Sequence, residues 1–318
     1  MNNCNENKII TLKLNNVKSI HAFNNNMDLH NIILNEIEHH ISLKNIFDNQ
    51  TIAKDSVDLN INLMKWRMAP SLNTDKIRES KFLIFGAGTL GCHVARGLIG
   101  WGVRNITFVD YGKVSFSNPV RQTLYSYKDS VSNNFKAITA AEKLKEIFPL
   151  INSQGYVIQI PHPGTRLIND HAKEGFLSCS YEIEELIKDH DYIFLLTDSR
   201  ESRWLPTVFC SFYNKPCISS AIGFDSYCVI RHGLNEEKKK AACYFCSDIS
   251  APMDISKNRT LDQQCTISRP GVSIICSGLA VEMMINICTE TFENTPHCLR
   301  GNIQTWDMIN IDNNAFVK

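Results

Sequence analysis

Two groups of residues in this 318-residue chain have the types and spacing to do chemistry. The first is Gly86-Ala-Gly88-Thr-Leu-Gly91, which fits the G-x-G-x-x-G pattern and follows the short apolar run Phe82 to Phe85. In that pattern the first glycine permits a tight turn and the second lets backbone approach a phosphate. The third lets a helix pack closely on the strand, with the helix N-terminus facing the anion. Asp110 closes the next strand 19 residues after Gly91, where a carboxylate accepts the hydroxyls of a ribose. These residues specify a nucleotide site without choosing among NAD, FAD and ATP. The second group is Cys265 with its surroundings, from Arg259 to Arg269. Cys265 sits in a polar loop before a long apolar helix, four residues ahead of Arg269. A nearby cation and a helix N-terminus both favour thiolate.

Other polar groups fall where they would serve the same nucleotide. Ligands of an open α/β sheet sit beyond the carboxyl ends of the strands, and Asp198 ends a strand as Asp110 does. A lone carboxylate there is often only a helix cap, and Asp198 precedes Ser-Arg-Glu-Ser. Beside a glycine loop, the better reading is a carboxylate holding hydrated magnesium against phosphates. The loop Ser117-Asn118-Pro-Val-Arg121-Gln122 carries two amides and a guanidinium. An Arg fork suits phosphate oxygens, and Asn or Gln can fix a sugar or phosphate; the plain alternative is an Asn-Pro turn with a solvated Arg. Lys136, near the start of a helix, can neutralise phosphate charge, although most helix lysines are simply solvated. Cys243-Tyr-Phe-Cys246 is half of a four-thiolate zinc site. Most of the twelve cysteines have the simpler role of small buried hydrophobes. Cys92, Cys210, Cys217, Cys228, Cys276 and Cys288 lie on apolar elements and read as core.

The elements that must position these residues alternate strand and helix from Lys81 onward, which argues for a doubly wound, mostly parallel α/β sheet with a Rossmann-like nucleotide-binding half. Strands are expected at 81–85, 105–110, 156–160, 192–197, 216–221 and 227–231. Helices are expected at 90–99, 135–147 (stopped by Pro149), 181–188, 201–213 and 271–288. Residues 1–60 form a short Asn-rich segment in which 32–46 has an amphipathic pattern. Residues 61–318 read as a single domain. Within it, 60–70 places Trp66 between two basic residues, and 234–259 is a polar loop with a lysine run.

Lys and Arg together number 33, as do Asp and Glu, so no net charge points to nucleic acid or an anionic membrane. The opening MNNCNENKII has no apolar core of a secretion signal. The apolar stretch Val272 to Ile287 is broken by Ser, Cys, Gly and Glu282 and reads as too short to span a bilayer. The expectation is an intracellular, cytoplasmic protein whose cysteines are thiols rather than disulfides.

The segments FGAGTLGCHVARGLIGWGVRNITFVD, SNPVRQ, LTDSRESRW, GFDSYCVIRHGL, CYFC and RTLDQQCTISRPG, in that order, resemble the activating enzymes of the autophagy ubiquitin-like conjugation pathways. More broadly they resemble the ThiF/MoeB-type superfamily, which adenylates the C-terminal glycine of ubiquitin-like and sulfur-carrier proteins. The similarity runs from about Ser56 to about Arg300. It implies ATP and magnesium, joining of AMP to the modifier's terminal carboxylate, release of pyrophosphate, and a thioester on Cys265. By motif match, Gly86, Gly88 and Gly91 would lie beside the phosphates and Asp110 would hold the ribose. Asn118, Arg121, Gln122 and Lys136 would surround the phosphates, and Asp198 would bind magnesium. Arg67 stands where the superfamily has an arginine that reaches the phosphates from a partner protomer, which implies a homodimer. The other partners implied are a small ubiquitin-like modifier and a conjugating enzyme.

Three features depart from the family. Few residues precede the match, fewer than the large N-terminal domain that receives the conjugating enzyme would need. The tail after WDMINIDNNAFVK reads as shortened, and the second CxxC of the zinc site is missing. Zinc is therefore expected to be absent or weakly held, or to take His297 and Cys298 as substitute ligands. The competing function is a sulfur-carrier adenylyltransferase that stops at the acyl-adenylate. An NAD-dependent oxidoreductase lacks a hydride-transfer constellation, and a catalytically dead scaffold is at odds with the intact site residues.

Overall fold

The computed structural model describes residues 48–68, 70, 72–162, 170–234, 242–246, 268–289 and 296–302. The amphipathic stretch 32–46, the tail after residue 302, and Cys265 lie outside these. Contacts divide the chain at Val57/Asp58, and helix α1 (Asn49–Met68) begins in the first unit and ends in the second. The rest of the fold belongs to the second unit.

That unit is a seven-stranded sheet with helices on both faces. In chain order come α2 (Thr74–Glu79), β1 (Lys81–Phe85), α3 (Thr89–Gly100), β2 (Asn105–Val109), α4 (Tyr127–Val131), α5 (Lys136–Ile147) and β3 (Asn152–Tyr156). They are followed by α6 (Asp170–Asp189), β4 (Tyr192–Leu195), α7 (Glu201–Phe212), β5 (Cys217–Ile222), β6 (Ser226–Arg231), a 3-10 turn (Tyr244–Cys246), α8 (Pro270–Thr289) and β7 (Cys298–Asn302). The sheet order is β3-β2-β1-β4-β5-β6-β7. The first five strands in that order run parallel, and β6 and β7 run antiparallel at one edge. Strands β1 and β4 read as continuous apolar runs because helices cover both faces of the sheet. On one face Leu83, Phe85, Ile193 and Leu195 pack with Ile183 and Ile187 of α6 and Cys210 of α7. On the other, α8 crosses β5 and β6 and lies against α3. A Cβ on Gly97 would meet Val281 at 3.1 Å, so the two helices approach closely.

The doubly wound, mostly parallel architecture agrees with the sequence reading, and individual elements differ from it. The strand expected at 156–160 lies at 152–156. This edge strand is polar and half exposed, so no apolar run marks it, while Ile158 and Ile160 are buried beyond its end. Gly155 is required there, because a Cβ would fall 2.3 Å from the Ala137 carbonyl oxygen of α5. The helix expected at 181–188 extends back to Asp170; its first half is largely exposed and so lacks an apolar stripe. Helices α2 and α4 are too short for periodicity to reveal, and strand β7 is too little buried to carry an apolar run.

Helix α8 is 20 residues long, enough to cross a bilayer by length and composition, which corrects the expectation drawn from Val272 to Ile287. Its apolar character matches burial within the fold: Val272, Cys276, Ala280, Met284 and Cys288 are all inaccessible. Cys92, Cys210, Cys217, Cys276 and Cys288 are core, as expected, but Cys228 is only half buried, because β6 lies next to the exposed edge strand.

Candidate active site

In a doubly wound sheet the crevice opens where the strand order reverses, here between β1 and β4. The chain leaves these two strands on opposite faces, and the glycine loop and the turn at Asp198 form the two lips. Gly86 has φ +99°, and a Cβ there would lie 2.9 Å from the carbonyl carbon and oxygen of Leu196. Gly91 passes so close beneath that a Cβ would fall 2.0 Å from the Gly86 carbonyl oxygen. These two glycines are demanded by the fold itself. Gly88 differs: it caps α3 with an ordinary φ of −82°, and among the described residues no atom lies within 4 Å of where its Cβ would be. That open space is part of a cavity of about 250 Å³.

The cavity brings together Gly86, Gly88, Asp110, Asn118, Arg121, Gln122, Lys136 and Asp198 from segments more than a hundred residues apart. Asp110 has a structural task beyond the one read from sequence. Its Oδ2 accepts the Ala87 N–H at 2.8 Å and its Oδ1 accepts the Gly112 N–H at 2.7 Å, bolting the glycine loop to the end of β2. Each carboxylate oxygen keeps a second lone pair for a ligand hydroxyl. The Tyr125 phenol sits behind the loop, 2.6 Å from the Ala87 carbonyl and 3.1 Å from that of Lys136. It thereby ties the start of α5, which carries Lys136, to the glycine turn.

Asn118 is spent on the fold, its Oδ1 accepting the Ser115 N–H at 2.9 Å and its carbonyl closing the turn to Arg121 and Gln122. Gln122 is 6% exposed, and among the described residues its Oε1 has no hydrogen-bond partner. A buried amide oxygen left unpaired costs about 1–3 kcal/mol, so it marks a place where a donor is to be supplied. Arg121 and Lys136 are half buried around it, and Asp198 is exposed at the cavity edge.

The sequence reading missed Arg203. Its guanidinium is buried on α7 and donates from Nη2 to the carbonyls of Thr197 at 2.6 Å and Ser220 at 2.9 Å. It thereby pins the turn carrying Asp198 to β5, and the Tyr244 ring lies 5.7 Å from it. Burial alone pushes its pKa down, with Tyr244 and then Asp198 opposing. The signal available was an arginine on an apolar helix five residues after a strand-end carboxylate. Thr89, Leu90, Leu196, Thr197, Ala221, Ile222 and Ser268 also line the cavity.

One expected site residue stands elsewhere. Arg67 is exposed on α1 and does not line this cavity. Cys265 lies outside the described residues, but Ser268, three residues on, forms part of the wall. The sulfurs of Cys243 and Cys246 are 3.9 Å apart, matching the edge of a tetrahedral zinc–thiolate site. Among the described residues no group of three or more His, Cys, Asp or Glu could hold a metal, so the substitute ligands His297 and Cys298 are not gathered with this pair. Cys298 instead faces Cys228. The residues fit a nucleotide with a hydrated cation, through the open cradle at Gly88, the unpaired Gln122 oxygen and the flanking charges; for zinc they supply two ligands.

Comparison with known proteins accords with this geometry. The ubiquitin-like modifier-activating enzyme ATG7 of Saccharomyces cerevisiae is 47% identical over 286 residues, covering 87% of this chain and 45% of that protein. That of Yarrowia lipolytica is 48% identical over 266 residues, covering 83% and 44%. The chain thus spans about half the length of these curated relatives. The crystal structure of PaaA superposes with a TM-score of 0.57 at 17% identity, over 81% of this chain and 82% of that one. Escherichia coli MccB with ATP gives 0.55 at 17%, over 79% and 71%; at such identity both speak for the fold alone. With residues 59–316 matching its pattern across the sheet and the cavity, this chain belongs to the ThiF family.

Proposed function

We propose that this chain activates a small ubiquitin-like modifier of autophagy with ATP. It joins AMP to the modifier's C-terminal glycine, releases pyrophosphate, and then takes the acyl group onto Cys265 as a thioester for a conjugating enzyme. The observation that carries this reading is the ring of Arg121, Lys136 and Asp198 around a glycine-lined cavity whose wall includes Ser268. The identity to ubiquitin-like modifier-activating enzymes supports the choice of substrate class.

Bound ATP supplies an activated phosphorus for the carboxylate to attack, and a magnesium ion would be held at Asp198. The chain's own part is electrostatic. Backbone N–H groups at the start of α3, with Gly88 leaving room, would receive phosphate oxygens. Arg121 and Lys136 would hold positive charge where negative charge grows, and Gln122 would accept a donor from the sugar or modifier. Asp110 would accept a ribose hydroxyl while it keeps the loop in place. Arg67 would act on a neighbouring protomer's cavity, which makes the working unit a homodimer. Cys265 is tethered three residues from Ser268, a reach of at most about 11 Å, so its thiolate can meet an acyl group made in the cavity. Cys243 and Cys246 would give zinc only two thiolates, so in this reading zinc is absent or weakly held. We place the protein in the cytoplasm, without membrane insertion or nucleic-acid binding. Residues 61–318 serve as the adenylation domain.

The test is incubation with ATP, magnesium and candidate modifiers, followed by gels with and without reducing agent. A thiol-sensitive adduct that is lost in Cys265→Ala is expected. Pyrophosphate exchange that continues in the absence of any adduct would instead indicate an enzyme that stops at the adenylate. No ATP-dependent reaction with any modifier would overturn the proposal.

A further inference from the structure

At the sheet edge farthest from β3, two thiols face each other across neighbouring strands. Cys228 of β6 and Cys298 of β7 have sulfurs 3.9 Å apart, and both are half buried. The antiparallel register sets Cys228 opposite Arg300 and Ile230 opposite Cys298, so Cys228, Cys298 and Arg300 share one face of the sheet. The Arg300 Nε lies 3.1 Å from the Cys298 sulfur. We propose that Cys228 and Cys298 are a dithiol modification site for peroxides, with Cys298 as the attacking thiol and Cys228 as the resolving one.

Three observations divide the roles. Cys298 lies on β7, the outermost described strand of the sheet, beside the exposed Arg300, whose Nε donates to its sulfur. Burial, ahead of its neighbour Cys298, pushes the Cys228 thiol up, which suits a group that waits for a second step. Cys276, the other thiol near Cys228, is fully buried and directs its sulfur at the Ala221 carbonyl, 3.8 Å away. In the first step the Cys298 thiolate attacks one peroxide oxygen. A sulfur–oxygen bond forms, the oxygen–oxygen bond breaks, and the leaving oxygen takes a proton to become water or an alcohol. Cys228 then attacks the sulfenic sulfur, a disulfide forms, and hydroxide departs with the proton of the Cys228 thiol as water. Two thiols are oxidised by two electrons and one peroxide is reduced.

A disulfide needs about 2.04 Å between sulfurs, so the pair must close. Strand β7 is the edge of the sheet and, among the described residues, pairs on one side only. The crosslink would clamp β7 to β6, whose Cys228 pairs in register with Ala221 on the cavity wall. The site is thus close to the nucleotide cavity but uses none of its residues, and the proposal does not depend on the activity assigned above.

The experiment treats the whole protein with substoichiometric hydrogen peroxide, caps free thiols with an alkylating agent, and maps peptides by mass spectrometry without reduction. A peptide linking Cys228 to Cys298, two hydrogens lighter than the reduced pair and abolished by dithiothreitol, is expected. Cys228→Ser should leave Cys298 as a sulfenic acid that dimedone captures, and Cys298→Ser should leave Cys228 alkylated. Arg300→Gln, which removes the cation and keeps both thiols, should slow oxidation of Cys298 several-fold. Cys298 remaining fully alkylated while other cysteines are oxidised would overturn the proposal. So would its linkage to Cys276 or Cys246.

Discussion

Substituting Gly86 and Gly88 separately should split the folding role of the glycine loop from its binding role. At Gly86 an alanine would keep φ at +99° and press its Cβ against the Leu196 backbone at 2.9 Å, where no side chain can yield. A non-glycine residue in such a conformation costs about 1–3 kcal/mol, and displacing the end of β4 adds to it. For a domain of this size that corresponds to a fall in melting temperature of roughly 5–10 °C. At Gly88 the backbone is one that alanine adopts freely, and the new methyl would meet none of the described atoms within 4 Å. Alanine is a poorer helix cap than glycine by some tenths of a kcal/mol or more, but its stiffer unfolded chain returns about 0.4–1 kcal/mol, so the melting temperature should barely move. The methyl would nevertheless stand inside the cavity. Keeping a phosphate from one backbone N–H loses a charge-assisted hydrogen bond, about 1.5–3 kcal/mol, or roughly tenfold to 150-fold in affinity. Thermal unfolding without nucleotide, paired with calorimetric titration of ATP and magnesium, reads both effects. A Gly88→Ala protein that melts as low as Gly86→Ala and binds ATP like the unaltered chain would refute the reasoning.

Other expectations follow from the same geometry. Arg203→Met leaves the Thr197 and Ser220 carbonyls without their buried donor, which should cost about 3 kcal/mol in chemical denaturation and weaken magnesium-dependent ATP binding through Asp198. Cys265→Ser should trap the modifier as an oxyester that survives thiol treatment on a gel, unlike the adduct of the unaltered protein. His232 is buried with its Nε2 2.6 Å from the Ser219 hydroxyl, and burial lowers its pKa from 6.5 to about 3. The unfolded chain therefore binds the extra proton first: stability from this group is complete above pH 6.5 and falls by about 1.4 kcal/mol per pH unit as pH drops towards 3. His190 and His93, also lowered by burial, add to the same slope. Unfolding of His232→Asn measured from pH 7 to pH 4 should show a shallower loss. Asp58→Asn should strand Arg104, which Asp58 meets at 3.0 Å in a partly buried pair, and lower stability by about 1–3 kcal/mol; a change within experimental error would show that the pair is solvated.

The amino-acid sequence by itself determined the alternation of strands and helices, the glycine turn and the carboxylates at strand ends, because each rests on local rules. Apolar runs mark strands buried on both faces, and only glycine tolerates the conformation at Gly86. It also singled out Asn118, Arg121, Gln122 and Lys136, which proved to line a single cavity with Gly88, Asp110 and Asp198. Edge strands and exposed helix turns escaped it, since β3, β7 and the first half of α6 are not buried enough to carry a periodic apolar signal.

Only the tertiary structure decided which polar groups serve the fold and which are left for a ligand. Asn118 and Gln122 look alike in sequence, yet one amide closes a turn and the other is buried with its oxygen unpaired among the described residues. Gly86, Gly88 and Gly91 belong to one motif, yet two are required by backbone contacts and the third meets none of the described atoms and lines the cavity. Tyr125 and the facing thiols of Cys228 and Cys298 had no local signature at all, and Arg203 had only its place on an apolar helix after a strand-end carboxylate. Their significance comes from partners far away in the chain, and distances of that kind are set by how strands pair and helices cross the sheet.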